Sequence, residues 1–152
     1  MPNRRTDYGI RSLLVLAQSS GVCKASAIAE QLDTSEGVTR QVLQSLCRGG
    51  LVTSRSSSAG GYWLARPPER ISLLDIVEAM EGTITTTECA LRNGPCHWED
   101  VCALHRVWVA AQDSFRSALA RATLDQIDSD DNALAAGTLP VPADAHRRLR
   151  KS

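Results

Sequence analysis

Apolar positions fall at helical spacing over residues 7–19, where Ile10, Leu13, Leu14, Leu16 and Ala17 share a face that ends near Gly21. A second, shorter set (Ile28, Ala29, Leu32) follows Ser26, a residue suited to cap a helix. Asp33-Thr34-Ser35 interrupts the pattern and offers a fresh cap. The next helix, 35–48, is expected to turn Val38, Val42, Leu43 and Leu46 inward and to stop at Gly49-Gly50. Two helices separated by a few polar residues, the second carrying Arg40, Gln41 and Gln44 outward, have the spacing of a helix-turn-helix.

The period then changes from helical to alternating. Leu51 to Arg55 reads as a strand, Ser56-Ser57-Ser58-Ala59-Gly60-Gly61 as a turn, and Tyr62 to Ala65 as a second strand. A hairpin directly after a recognition helix is a wing. Its loop is small and uncharged, so backbone N–H groups can come close to a phosphate or a groove. Candidate contacts to double-stranded operator DNA are therefore Ser35, Thr39, Arg40 and Gln41 on the helix, and Arg55, Gly60, Gly61 and Tyr62 on the wing. Arg66 flanks the second strand in a position also suited to phosphate.

Pro67-Pro68 ends the hairpin, and a helix from Ile71 to Met80 closes at Gly82. Residues 83–100 read as irregular. From about Glu99 to Thr123 a longer helix carries Val101, Leu104, Trp108, Ala111, Phe115, Ala118 and Ala122 at alternating steps of three and four. That is a heptad seam, the pattern of a helix that packs along a similar partner, and it points to a homodimer. The expected fold is mainly α with a small β-hairpin wing, a winged helix-turn-helix plus a long dimerisation helix. It divides into a DNA-binding domain (1–82), a loop and dimerisation helix (83–127) and a disordered tail (128–152).

Charge supports this division. The formal net charge is zero, yet residues 1–70 hold nine Lys/Arg against five acids, and residues 71–152 hold eight against twelve. A basic lobe joined to an acidic one fits a DNA-binding part with a separate effector part. The Met-Pro-Asn-Arg-Arg start has no apolar run for a signal peptide, and the Leu13–Ala17 stretch is too short to span a membrane. A cytoplasmic, non-membrane protein is expected. Five cysteines, an odd number, suit reduced or metal-bound thiolates.

Three of these cysteines carry the candidate chemistry. Cys89 and Cys96 lie on a Gly/Pro loop, and Cys102 opens the long helix, with six and five residues between them. The gaps are wider than the C-x-x-C pairs of zinc ribbons and suit an object larger than one ion. An iron–sulfur cluster, 4Fe–4S or 2Fe–2S, would need a further ligand, and His105, three residues after Cys102, and His97, beside Cys96, are both at hand. A structural zinc on the three thiolates and His105 is the alternative. Cys23 and Cys47 read as small core residues. No nucleophile elbow, general base or phosphate loop is visible, so an enzyme is not expected.

The order of helix, helix-turn-helix, wing with Gly60-Gly61-Tyr62-Trp63-Leu64 and then Cys-x6-Cys-x5-Cys-x2-His resembles the Rrf-two (Rrf2) family of iron–sulfur transcription regulators, over roughly residues 1–127. The family includes IscR, NsrR and RirA branches. The opening Arg5-Thr6-Asp7-Tyr8-Gly9-Ile10-Arg11 looks most like the nitric-oxide-sensing NsrR branch. The resemblance implies a repressor that senses nitric oxide, redox or iron status. It also makes Asp7, reaching across the dimer, the candidate fourth ligand, with His105 as its rival. Family wings usually carry arginine and several glycines, whereas this one is serine-rich.

Overall fold

The computed structural model describes residues 3–84, 88–89, 94–95 and 101–141. Among these, six α-helices and a β-hairpin form the expected winged helix-turn-helix with a long helix after it. Helices α1 (Arg4–Gln18), α2 (Ala25–Gln31) and α3 (Glu36–Arg48) precede the hairpin β1 (Val52–Arg55) and β2 (Gly61–Leu64). A 3-10 turn (Pro68–Arg70) leads to α4 (Leu73–Glu81). Two short strands, β3 (Glu88–Cys89) and β4 (Gly94–Pro95), come before α5 (His105–Arg121) and α6 (Leu124–Ala135). The β3–β4 pairing, Cys89 opposite Gly94, replaces wholly irregular chain at those four positions.

The core is aliphatic. Leu13, Ile28, Val42, Leu43, Leu46, Leu51, Ile71, Ile76 and Leu124 have no exposed surface, so α1, α2, α3, α4 and α6 all contribute to one cluster. Cys23 and Cys47 pack at its edge. Burial pushes the Cys47 thiol pKa up, partly offset by a bond with Ser54.

Local chemistry sets the ends. The Asn3 side chain caps α1 by accepting from the N–H groups of Arg5 at 2.8 Å and Thr6 at 3.2 Å. The buried Thr6 hydroxyl donates to Glu81 Oε1 at 2.5 Å, and Asn3 N–H donates to the same oxygen at 2.9 Å. One carboxylate thus fastens the start of α1 to the end of α4. Helix α4 begins two residues later than Ile71, at Leu73, behind a capping box in which Ser72 and Asp75 bond reciprocally. Helix α2 begins at Ala25, before the expected Ser26 cap, with no side-chain cap. The reason is tertiary: Cys23 and Tyr62 exchange backbone hydrogen bonds of 2.9 and 2.8 Å, which hold the chain extended up to Lys24.

Helix α3 is capped by Ser35, which accepts from Val38 N–H at 3.3 Å. Its inward stripe differs by one position from the expected one. Thr39 is buried at 1%, while Val38 remains 37% exposed. Thr39, Val42, Leu43 and Leu46 form an i, i+3, i+4, i+7 row, and Val38 sits to its side. The Thr39 hydroxyl is satisfied by the Ser35 carbonyl at 3.1 Å, which makes burial tolerable.

The C-terminal part corrects two further expectations. Helix α5 starts at His105 rather than near Glu99, so Cys102 precedes it in a turn. The expected tail from residue 128 is helical as far as Ala135. Thr123 caps α6 by accepting from Gln126 N–H at 3.3 Å, and Leu124 is drawn fully into the core. Backbone bonds Leu73 N–H to Ala122 O and Leu124 N–H to Ile71 O, both 2.8 Å, pin the α5–α6 corner to the start of α4. Gln18 also donates to Asp128 at 2.6 Å. Residues 142–152 lie outside the described residues. No described helix is long and apolar enough to cross a membrane.

Candidate nucleic-acid interface and cysteine segment

The exposed face of α3 presents Ser35, Glu36, Arg40, Gln41 and Gln44. Between this face and the wing lies a polar cleft of about 270 Å³, lined by Lys24, Glu36, Arg40, Arg55, Ser56 and Tyr62 among others. Arg40 and Arg55, named from the sequence, are brought to one cleft, as are Gly60 and Gly61 at its rim. Lys24 and Glu36 were not identified from sequence. Lys24 Nζ donates to the Ser58 carbonyl at 2.7 Å and so lashes the wing turn to the start of α2. Only its place before a helix hinted at it. Glu36 forms an i, i+4 ion pair with Arg40, a spacing that was legible in the sequence.

Three candidate contacts need correction. Thr39 faces the core and is closed to DNA. Gly60 and Gly61 are both buried. A Cβ at Gly60 would lie 2.0 Å from the Arg55 carbonyl oxygen, and one at Gly61 2.4 Å from that of Cys23. These glycines close the hairpin turn and allow the Cys23–Tyr62 bridge, so the space a side chain would need is taken up inside the wing. Tyr62 is half-buried, with its backbone in that bridge. Arg66 pairs with Asp75 at 3.4 Å, at the foot of the wing.

The cysteine segment is described in part. Cys102 is a half-buried free thiol, and its carbonyl accepts the His105 N–H at 3.1 Å, the first turn leading into α5. Cys89 is placed by the β3–β4 pairing. Cys96 and His97 lie outside the described residues. Asp7 is exposed on the first turn of α1, where Arg11 Nε donates to both its oxygens at 3.0 Å. No set of three His, Cys, Asp or Glu side chains able to hold a metal occurs among the described residues.

At the root of this segment Arg116 makes a clasp. Its Nη1 donates to Glu78 Oε1 and to the Ile84 carbonyl, each at 2.5 Å, while Ile84 N–H donates to Glu78 Oε1 at 3.2 Å. The chain leaving α4 toward the cysteines is thereby tied to both α4 and α5. Helix α5 has two faces. Val109, Gln112, Arg116 and Leu119 are half-buried against the protein's own fold. On the opposite face Trp108 and Phe115 are each 42% exposed, and Val101 and Leu104, in the chain just before the helix, are 75% and 51% exposed.

Comparison with known proteins agrees with this architecture. Residues 3–130 match Rrf2, a family described as iron-dependent transcriptional regulators. A protein of Neisseria meningitidis named as an HTH-type transcriptional regulator is 32% identical over 127 residues, covering 82% of this chain and 85% of the relative. IscR of Xenorhabdus nematophila, named an HTH-type transcriptional regulator, is 26% identical over 84% of this chain and 78% of its own. Among solved structures, CymR, the global cysteine regulator of B. subtilis, superposes with a TM-score of 0.67 at 26% identity, covering 86% of this chain and 97% of that one. IscR of T. potens gives a TM-score of 0.68 at 25% identity, with 93% of each chain covered. These are regulators with a non-enzymatic role. The chain belongs to the Rrf2 family and is a transcriptional regulator of the IscR and CymR type.

Proposed function

We propose that the protein is a cytoplasmic, homodimeric repressor whose grip on operator DNA responds to an iron–sulfur cluster reporting nitric oxide, redox or iron status. The observation that carries this reading is the apolar row on α5. Trp108 and Phe115 stand exposed on α5, and Val101 and Leu104 are exposed on the chain to either side of Cys102 just before it. Burying side chains of this size is worth roughly 1.5–3 kcal/mol each, so a second copy laid along the row is strongly favoured. A centre beside that row can shift how two copies meet, and therefore how far apart two α3 helices stand.

The donor chemistry fits a cluster. Thiolates of Cys89, Cys96 and Cys102 are soft ligands for iron, and Asp7 of a second copy, or His105, would complete the set. When bound, such a cluster supplies a centre that reacts with small molecules and oxidants. In this chain's own residues, Arg116 and Glu78 would hold the root of the segment in place. Asp7 must give up Arg11 to serve as a ligand, and that exchange is open to it because the pair is exposed. On DNA, Ser35, Arg40 and Gln41 would read base edges in the major groove, while Arg55 and Lys24 would meet phosphates.

The test is anaerobic purification with iron and sulfide assays and an absorption spectrum, followed by sedimentation and operator binding. Stoichiometric iron and sulfide in a dimer, lost when any one of the three cysteines becomes alanine, supports the reading. Asp7→Ala is expected to shift the spectrum and speed cluster loss, and His105→Ala to do neither. The likeness to CymR, a global cysteine regulator, keeps a second reading in view, in which the three cysteines and His105 hold a structural zinc and no redox sensing occurs. A colourless dimer that binds DNA with full affinity would establish it.

A further inference from the structure

We propose that Glu36 is a specificity-determining residue of the DNA interface, acting with Arg40 as a coupled reader of adjacent base pairs. The inference rests on α3 being the recognition helix and names a residue and a selectivity beyond that reading.

Glu36 is the first residue of α3 and the one carboxylate among the residues lining the cleft, where Lys24, Arg40 and Arg55 supply positive charge. A groove built only to hold phosphates gains nothing from an acid at its centre. There it repels the polyanion and occupies a cation the polyanion would otherwise use. Arg40 Nε donates to Glu36 Oε1 at 3.0 Å, and the two side chains remain 57% and 45% exposed. An exposed pair of this kind adds little to helix stability. Its effect falls on what reaches Arg40.

The chemistry of base edges gives the acid a use. In the major groove a carboxylate accepts from the cytosine amino group, and a guanidinium donates to guanine O6 and N7. Residues four apart on a helix lie about 5–6 Å apart at Cβ, and successive base pairs about 3.4 Å apart, so Glu36 and Arg40 can reach neighbouring pairs. Where cytosine engages Glu36, Arg40 is released to its guanine. Where no amino group is offered, the carboxylate keeps Arg40 and faces an acceptor, which is repulsive. Gly37, between them in the first turn, is exposed, and a Cβ there would meet nothing within 4 Å. The fold does not need glycine at that point, whereas its bare backbone leaves room for DNA to close on the first turn of α3.

The experiment selects preferred sites from a random duplex library with the full-length, anaerobically purified protein, then measures binding to those sites and to random duplex across a salt series. Glu36→Gln keeps size and hydrogen bonding but removes the charge. It is expected to lose the cytosine preference at one position by on the order of tenfold and to bind random duplex more tightly, with an unchanged melting temperature. Arg40→Ala is expected to lose the guanine preference at the neighbouring position. Unaltered base preferences in Glu36→Gln overturn the proposal, even if overall affinity rises, because that pattern is bulk charge alone. If Arg40→Ala also keeps every preference, the assignment of α3 as the reader fails as well, so the two failures are told apart.

Discussion

The winged lobe and helix α5 are built from similar residues to opposite ends. In the first, Leu13, Ile28, Leu43 and Leu46 are fully enclosed by one chain, and polar groups such as Thr6 and Thr39 are buried only where a bond receives them. In the second, no residue of the helix is buried, and Trp108 and Phe115 lie 42% open on an otherwise regular amphipathic surface. The lobe is complete as a monomer. The helix has a face turned to its own domain and another that no described residue covers. If α5 pairs two copies as proposed, their arrangement can change without repacking the core of the winged lobe.

The comparison can be broken first in the lobe. Leu43→Ala removes a fully enclosed side chain and should cost about 2–5 kcal/mol of unfolding free energy, read from denaturant midpoints at several protein concentrations. The loss should persist under conditions where only monomer is present. Phe115→Ala should act the other way round, weakening self-association by about 2 kcal/mol in sedimentation while leaving the unfolding of the monomer near that of the parent. Equal effects of both variants on monomer stability would show that the outer row of α5 is not a surface for a second copy.

Between the two regions stands the Arg116 clasp. Arg116→Ala should cost roughly 1 kcal/mol and speed hydrogen exchange at the Ile84 amide, since Glu78 loses the partner that holds it in place. Exchange confined to the wing, with Ile84 unchanged, would remove the clasp as a link. The smallest effect concerns the α1–α4 stitch. Bonds from Thr6 and then Asn3 hold the Glu81 carboxyl below its ordinary value of 4.5. A depressed folded pKa gives stability that is present above the unfolded value and lost as pH falls through the folded one. Glu81→Gln should therefore lower stability slightly near neutrality and flatten the acid limb of the curve below about pH 4.5.

Much of this molecule was legible in the residues alone. Helical and alternating periods, Ser35 as a cap and the two-glycine turn gave the helix-turn-helix and its wing, because these signals act over a few residues. Within the heptad steps, Trp108, Ala111, Phe115 and Ala118 marked the face of α5 that stays open. The spacing of Cys89, Cys96 and Cys102 suggested the chemistry, though its ligand set rests on the proposal.

What only tertiary structure decided turns on contacts between distant segments. Whether Val38 or Thr39 faces inward depends on a rotation of α3 of about one residue, which the α1, α2 and α4 surfaces fix. Gly60 and Gly61 looked like contact residues because glycine leaves backbone open. The close passage of Arg55 and Cys23 uses that space internally. Helix α6 was missed because Asp128, Asp130 and Asp131 read as solvated tail. Its Thr123-x-x-Gln126 cap was the local signal available, but the helix is secured by Leu124 entering a core built mostly of residues before 80. Lys24 meets the wing across 34 residues of chain, a relation that no short-range pattern encodes.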